Sequence, residues 1–410
     1  MKIFVLGGAG RHGRRAVYLL SQSPEVSDII IGARSLRSAH ALAQRVGPKA
    51  SVCRVDALDE DGLSQAIQGS QVLLNASGPY FETLLPALRA AIRARIHYCD
   101  FSEDGRTVER ALALDEAAKV AGITAILCIG DAPGITNLMA LHAARQLDIA
   151  REVVVGWADD FEIVYRPVWE ILNTIRSEGH VNASLQATLN ASTGQIRTFA
   201  EGHWVDEPAL GRSVSVVLST GQAFTAYPLG WAEPITLPHS IPGLQYVTSL
   251  VNLLPPQIND LMRAEAFGIA AGRLGPREAT IDMLESLSID PSRWLSRPAG
   301  MMVGALFAIV RGVRQGVPAT CSVLPNWNYR SGPEWLDGFG TGAPAAVAAL
   351  RILRGEVHCK GVMGPEACFD PLSFFAELVG RWGLCSDERL VKLEFHYETP
   401  AHGTGAPRLP

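Results

Sequence analysis

Residues 3–6 form a short apolar run, and Gly7-Gly8-Ala9-Gly10-Arg11-His12-Gly13 follows without a break. The spacing Gly8-x-Gly10-x-x-Gly13 between a strand and a helix constrains this chain more than any other feature. A strand that enters a glycine-rich turn and leaves as a helix can hold the pyrophosphate of a dinucleotide. The first helical turn offers free N–H groups and the positive end of its dipole. Each glycine answers a steric demand. Gly8 allows the tight turn, Gly10 the approach of backbone to phosphate, and Gly13 the close packing of helix on strand. Ala9, Arg11 and His12 complete the loop, with His12 facing pyrophosphate, nicotinamide or solvent.

At 410 residues, 48% of them hydrophobic and 19% charged, the chain is long and apolar enough for two domains around large cores. A formal net charge of −5 argues against a nucleic-acid partner, which needs clustered basic residues. The seven cysteines lack metal-ligand or redox spacing, so no metal is expected and a reducing cytoplasm suits them. The most apolar window, residues 299–310, is too short to span a bilayer and reads as a core helix, so no membrane partner is expected.

Up to residue 131, short apolar runs alternate with amphipathic patterns. Strands are predicted at 3–6, 28–33, 51–56, 72–76, 97–100 and 124–128, and helices at 12–21, 36–46, 60–67, 83–93 and 108–121. The alternation predicts a six-stranded parallel sheet covered on both faces, a doubly wound Rossmann domain over residues 1–131. From 132 to 399 the pattern changes. Strands are predicted at 152–157, 197–200, 213–218, 224–227 and 390–397. Helices are predicted at 136–147, 169–179, 250–274, 277–287, 299–314, 343–353 and 371–379. The fold class is therefore α/β with a second α+β domain, and helices near 343–380 are candidates to pack back on the first. Residues 400–410, rich in glycine and proline, are expected to be a disordered tail.

The end of the second strand selects the nucleotide. An acid there accepts from the ribose hydroxyls and repels a 2′-phosphate. This chain has Ala33-Arg34-Ser35 instead. Ala33 leaves room, Arg34 can fork onto a phosphate, and Ser35 can donate, so NADP(H) is expected over NAD(H). The alternative is that Arg34 only caps a helix start and both nucleotides bind. Asp56 and Ala57, after the third strand, are placed to meet the adenine amine, or Asp56 is a helix N-cap.

Several segments together resemble the saccharopine dehydrogenase family, in its saccharopine reductase and lysine dehydrogenase branch. They are Gly8 to Gly13, Asn75-Ala76-Ser77-Gly78-Pro79-Tyr80, Tyr98-Cys99-Asp100, and Gly130-Asp131-Ala132-Pro133-Gly134-Ile135-Thr136-Asn137. Weaker matches follow in order at 234–238, 341–344 and 361–366. The resemblance implies an NAD(P)-dependent oxidoreductase acting on a carbon–nitrogen bond of a small amino-acid-like or specialised metabolite. It also implies a second domain that supplies the substrate cleft and a homodimer contact. In the saccharopine reductases an acid directly precedes the proline after the sixth strand, whereas Ala132 separates Asp131 from Pro133 here, which points away from saccharopine itself.

In an open α/β sheet, ligands sit off the carboxyl ends of the strands. Asn75, Ala76, Ser77, Gly78 and Pro79 are therefore expected along the nicotinamide ribose. Hydride chemistry at nitrogen needs one proton managed by a group with suitable pKa and reach. Tyr98, Asp100 and Asp131, at strand ends, are the candidates, each with an alternative role as core or loop anchor. For the substrate, Trp169 and Asn173 share a helix face, and Arg330, within a polar-aromatic cluster at 326–330, is placed to pair with a carboxylate, with Arg166 and Arg263 as alternatives. Two other functions remain open: an NADPH-dependent reductase of a carbonyl or activated C=C bond, and a catalytically silent cofactor-binding scaffold.

Overall fold

The computed structural model describes residues 1–161, 168–179, 181–294, 305–326, 341–382 and 391–397, organised around two sheets. The first half supplies β1 (Lys2–Leu6), β2 (Asp28–Ala33), β3 (Ala50–Arg54), β4 (Val72–Asn75), β5 (His97–Asp100) and β6 (Thr124–Ile126). Between them lie α1 (Gly13–Ser21), α2 (Leu36–Val46), α3 (Glu60–Ala66), α4 (Tyr80–Ala94), α5 (Gly105–Leu112) and α6 (Asp115–Val120), and α7 (Ile135–Ala144) follows. The chain then builds β7 (Ile149–Asp160), β8 (Gln195–Ala200), β9 (His203–Pro208), β10 (Val214–Val217), β11 (Ala223–Pro228), β12 (Tyr246–Leu254), β13 (Ala305–Arg314) and β14 (Val317–Pro325). It ends with β15 (Gly361–Met363) and β16 (Val391–Tyr397).

The first sheet has the order β15-β6-β5-β4-β1-β2-β3, and its pairings are parallel. Ile3, Phe4 and Val5 of β1 and Val72, Leu73 and Leu74 of β4 are fully buried, as strands covered on both faces must be. Parallel strands end at one edge, so the turns after Leu6, Ala33, Arg54, Asn75, Asp100 and Ile126 gather there. The second sheet runs β10-β11-β12-β7-β13-β14-β16, with β8 and β9 paired off β12. It is mixed: β12 and β7 are parallel, and β13 runs antiparallel to β7. The architecture is a Rossmann-like layer joined to a second α+β layer.

The chain crosses back to the first sheet late. Helix Gly342–Leu353 packs on α1 and on β4 and β5, and β15 pairs with β6. The return brings Thr341 to the glycine loop's edge, which matters below.

Parts of two helices predicted from the sequence are strands, the start of 250–274 and the described part of 299–314. Residues 246–254 form β12, and the helix begins only at Gln257; residues 305–314 form β13, while 299–304 lie outside the described residues. Both segments are apolar runs at the centre of the second sheet. Leu250 and Phe307, on opposite sides of β7, are fully buried. A strand buried on both faces loses its alternation and reads like a core helix. The helix predicted over 108–121 is two, α5 and α6, broken at residues 113–114. The expected tail at 400–410 lies outside the described residues. Among those residues, no helix is long and apolar enough to cross a membrane.

Candidate active site

The glycine loop opens a cleft of about 770 Å³ at the carboxyl edge of the first sheet, a size typical of small-molecule and cofactor clefts. Gly7 carries the left-handed conformation of the turn, at φ +71°, a position expected of Gly8. Gly13 opens α1, and a Cβ there would lie 2.5 Å from the Gly7 carbonyl oxygen, so only glycine lets the helix start this close. The cleft wall includes Gly7, Ala9, Gly10, Arg11 and His12; Gly8 and Gly13 stand behind it. Ala33, Arg34 and Ser35 line the far end, and Asp56 and Ala57 the next turn. Asp56 accepts from the Leu58 N–H at 3.0 Å, whereas the N-cap of α3 is Asp59. Ala76, Ser77, Gly78 and Pro79 complete the inner wall. A helix N-terminus behind a glycine loop, with arginine and no acid at the end of β2, fits a dinucleotide pyrophosphate and a phosphorylated ribose.

The inner wall is held by a buried relay. Asn75 Oδ1 accepts from the Ser77 N–H at 3.0 Å and the Ser77 hydroxyl at 2.5 Å. Asn75 Nδ2 donates to the Tyr98 hydroxyl at 3.1 Å, which donates to Asp100 Oδ2 at 2.7 Å. Asp100 Oδ1 accepts from the Ser102 N–H at 3.0 Å, the Ser102 hydroxyl at 2.7 Å and the Cys128 N–H at 2.9 Å. Asn75, Tyr98 and Asp100 are each fully buried, and none lines the cleft or the cavity beside it. Tyr98 and Asp100, expected as proton carriers, both spend their side-chain oxygens in tying the ends of β4, β5 and β6 together. Asn75 likewise shapes the cofactor wall from behind.

Beside the cleft lies a smaller cavity of about 140 Å³ that shares Arg11, His12, Ala76, Gly78 and Pro79 with it. Asp131 faces this cavity. One carboxyl oxygen accepts from the Thr341 hydroxyl at 3.3 Å; the other is out of solvent and has no protein partner. Burial pushes the Asp131 carboxyl up to about 7, opposed by the Thr341 hydrogen bond and the positive charge of Arg15. His12 is held neutral, its pKa lowered to about 3 by burial and by the charges of Arg11 and Arg14. Its ring meets Phe101 edge-on at 6.0 Å.

The rest of the cavity lining escaped the sequence reading. Glu103 and Asp159 add two carboxyl groups, and burial, with the charges of Asp104 and Asp100, raises the Glu103 carboxyl well above its usual range. Trp157 and Trp231 pack their rings at 5.4 Å, and neither indole N–H has a protein partner. Trp157 and Asp159 are two residues apart on β7 and so share a face, a strand-period signal that the sequence carried. Trp231, between β11 and the helix Glu233–Ser240, left no such signal.

Of the expected substrate residues, those among the described residues do not line the cavity. Trp169 is 62% exposed and Asn173 is exposed; neither lines the cleft or the cavity. Their helix, Val168–Glu178, instead turns Glu170, Ile171 and Thr174 toward the cofactor cleft. Arg330 and Arg166 lie outside the described residues. Arg263 lies over the Tyr227 ring at 4.0 Å and pairs with Asp260, away from the cavity.

Residues 3–126 match the family model described as the saccharopine dehydrogenase NADP binding domain. The first domain is therefore similar to the NADP-binding domain of that family. The likeness of fold extends over the whole chain. The chain covers 96% of its length against 99% of apo saccharopine dehydrogenase (L-Glu forming) of Saccharomyces cerevisiae, with a TM-score of 0.64 at 16% identity. Homospermidine synthase of Legionella pneumophila, solved in complex with NAD, aligns over 100% of this chain and 94% of its own with a TM-score of 0.57 at 13% identity. Carboxynorspermidine synthase of Vibrio cholerae serotype O1 is 22% identical over 399 residues, covering 88% of this chain and 90% of that protein. The chain thus carries a domain similar to the saccharopine dehydrogenase NADP binding domain within a fold like that of saccharopine dehydrogenase.

Proposed function

We propose that this protein moves hydride between a nicotinamide cofactor, NADP(H) in preference to NAD(H), and the carbon of a carbon–nitrogen bond in a small amine or imine. One observation carries the reading. Asp131 lines the cavity next to the cofactor cleft with a carboxyl oxygen that is dry and unpartnered, and its carboxyl is raised to about 7. Such a group exchanges a proton at neutral pH with whatever enters. The relatives, named for saccharopine, carboxynorspermidine and homospermidine, support a nitrogen substrate. The cavity's three carboxyl groups, Glu103, Asp131 and Asp159, against Arg11, favour a cationic one.

The glycine loop, Arg34 and the wall from Ala76 to Pro79 hold the dinucleotide. When bound, it supplies or accepts the hydride. The chain's own task is the proton. Protonated Asp131 donates to the substrate nitrogen, which draws electrons from the adjacent carbon and readies it for hydride. In the reverse direction, once hydride has left the amine carbon, the Asp131 carboxylate takes the proton back from the iminium nitrogen. Neutral His12 and the indole walls exclude water and leave Asp131 as the titrating group. Reduction is therefore expected to slow above about pH 7, where Asp131 loses its proton. In assays pairing small amines with aldehydes and 2-oxo acids, NADPH consumption is expected. Asp131→Asn is expected to lower the rate about 100-fold or more while retaining NADPH binding. Full activity in Asp131→Asn overturns the assignment.

A further inference from the structure

The turn that carries Asp131 is anchored by a side chain that the proton transfer does not use. Asn137, on the first turn of α7, is fully buried. Its Oδ1 accepts from the Gly134 N–H at 2.9 Å. Its Nδ2 donates to the Thr236 hydroxyl at 2.9 Å and to Glu366 Oε2 at 3.0 Å. Both amide hydrogens and the amide oxygen are thereby used. The anchors come from three separate stretches of chain: the turn before α7, the helix Glu233–Ser240 of the second layer, and the short 3₁₀ turn Pro365–Ala367 after β15. The turn is itself tightly closed. Gly130 N–H donates to the Pro133 carbonyl at 3.0 Å, Ile135 N–H to the Gly130 carbonyl at 2.9 Å, and Thr136 N–H to the Asp131 carbonyl at 3.1 Å. Asp131 can therefore shift only if residues 130–137 shift.

We propose that Asn137 is a positioning residue for Asp131: by tying the Gly134 turn to Thr236 and Glu366, it fixes where the carboxyl points and keeps water from it. The proposal rests on the reading of Asp131 as the proton carrier. The position demands an amide. Aspartate at 137 accepts from Gly134 but has no hydrogen for Glu366 and sets a second acid against it. Alanine leaves the Gly134 N–H and the Glu366 oxygen without partners in a dry site. Glu366 is itself raised above the usual carboxylate range, mainly by burial, so glutamine imitates its protonated form. Arg15 from α1 and Thr341 act on Asp131, and Arg11 and His12 from the glycine loop, Glu103 after β5 and Asp159 from β7 line the same cavity. Substitution at 137 alters none of them, so a change in Asp131 reports the turn.

The test follows the Asp131 carboxyl directly. Full-length protein labelled with ¹³C at the aspartate carboxyl carbon is titrated by NMR, with the Asp131 signal identified through Asp131→Asn. The wild-type midpoint is expected near 7. In Asn137→Ala it is expected to fall by about one unit or more, toward the ordinary carboxylate value, as water reaches the group. Glu366→Gln is expected to keep the wild-type midpoint, and Glu366→Ala to shift it in the same direction as Asn137→Ala but less. NADPH binding reports that each variant is folded. Should Asn137→Ala fail to fold, Glu366→Ala decides. An unchanged midpoint in the folded variants overturns the positioning role. Undiminished turnover in Asp131→Asn overturns the proton-carrier reading instead, and the titration still decides whether Asn137 governs Asp131.

Discussion

Arg34 stands where β2 ends, between Ala33 and Ser35 in the cleft wall, with no acid at that strand end to oppose it. In the proposed NADP(H) reading its guanidinium grips the 2′-phosphate through charge-assisted hydrogen bonds, each contributing roughly 1.5–3 kcal/mol. Arg34→Asp removes that grip and adds an acceptor for ribose hydroxyls. The ratio of KM for NADPH to KM for NADH is expected to rise at least about tenfold; an unchanged ratio removes Arg34 from cofactor selection. Arg34 was legible in the sequence because the βα unit fixes its place relative to the glycine loop. Asp131 was legible as a candidate, but its rank over Asp100 and Tyr98 was not. Tyr98 and Asp100 lie in β5 and Asp131 follows β6 at the same edge of the sheet, and sequence position does not reveal which way a side chain points. Asp100 turns inward to four donors, whereas Asp131 lines the cavity and has one oxygen without a protein partner. Burial rather than charge pairing sets the Asp131 carboxyl, so its ionised form is the disfavoured one in the folded protein. The sign follows: between its ordinary value and about 7, rising pH weakens the fold through this group, and above about 7 the penalty is complete.

At the level of elements, the ends of β4, β5 and β6 behave as one unit because Asp100 joins them. Asp100→Ala leaves the Ser102 and Cys128 N–H groups and two hydroxyls without their acceptor in a dry site, at a cost of about 3 kcal/mol or more. The melting temperature is expected to fall, and KM for NADPH to rise as the wall from Ser77 to Pro79 loosens. A melting curve that matches the wild type contradicts this structural role. The relay explains why Tyr98-Cys99-Asp100 resembles family segments without supplying a group to the cavity. Elements of the first layer were readable because short apolar strands alternate with amphipathic helices. Those of the second layer were readable where one strand face meets solvent, as in β11, whose pattern of burial alternates; β9 was not read at all. They were misread in β12 and β13, where neighbouring strands and covering helices bury both faces and erase the period.

Over the whole molecule, the cavity is a product of contacts that no single segment encodes. Asp131 comes from the end of the first layer, Trp157 and Asp159 from the centre of the second sheet, Trp231 from beyond β11, and Thr341 from the returning chain. The cofactor cleft, by contrast, is built almost wholly from consecutive strand ends, and for that reason its outline was visible in the sequence while the substrate cavity was not. The same division separates what similarity shows, a nicotinamide dinucleotide-binding domain in a saccharopine dehydrogenase-like fold, from what we propose from the cavity's chemistry, hydride transfer at a carbon–nitrogen bond. The most direct measurement uses NADPH deuterated at nicotinamide C4, given to the enzyme with an aldehyde or 2-oxo acid in the presence and absence of a small amine. The product is then read by mass spectrometry and NMR. Transfer at a carbon–nitrogen bond places deuterium on the carbon bonded to nitrogen, only when amine is present, and Asp131→Asn suppresses it. Deuterium on an alcohol carbon or a saturated C–C bond formed without amine contradicts the account.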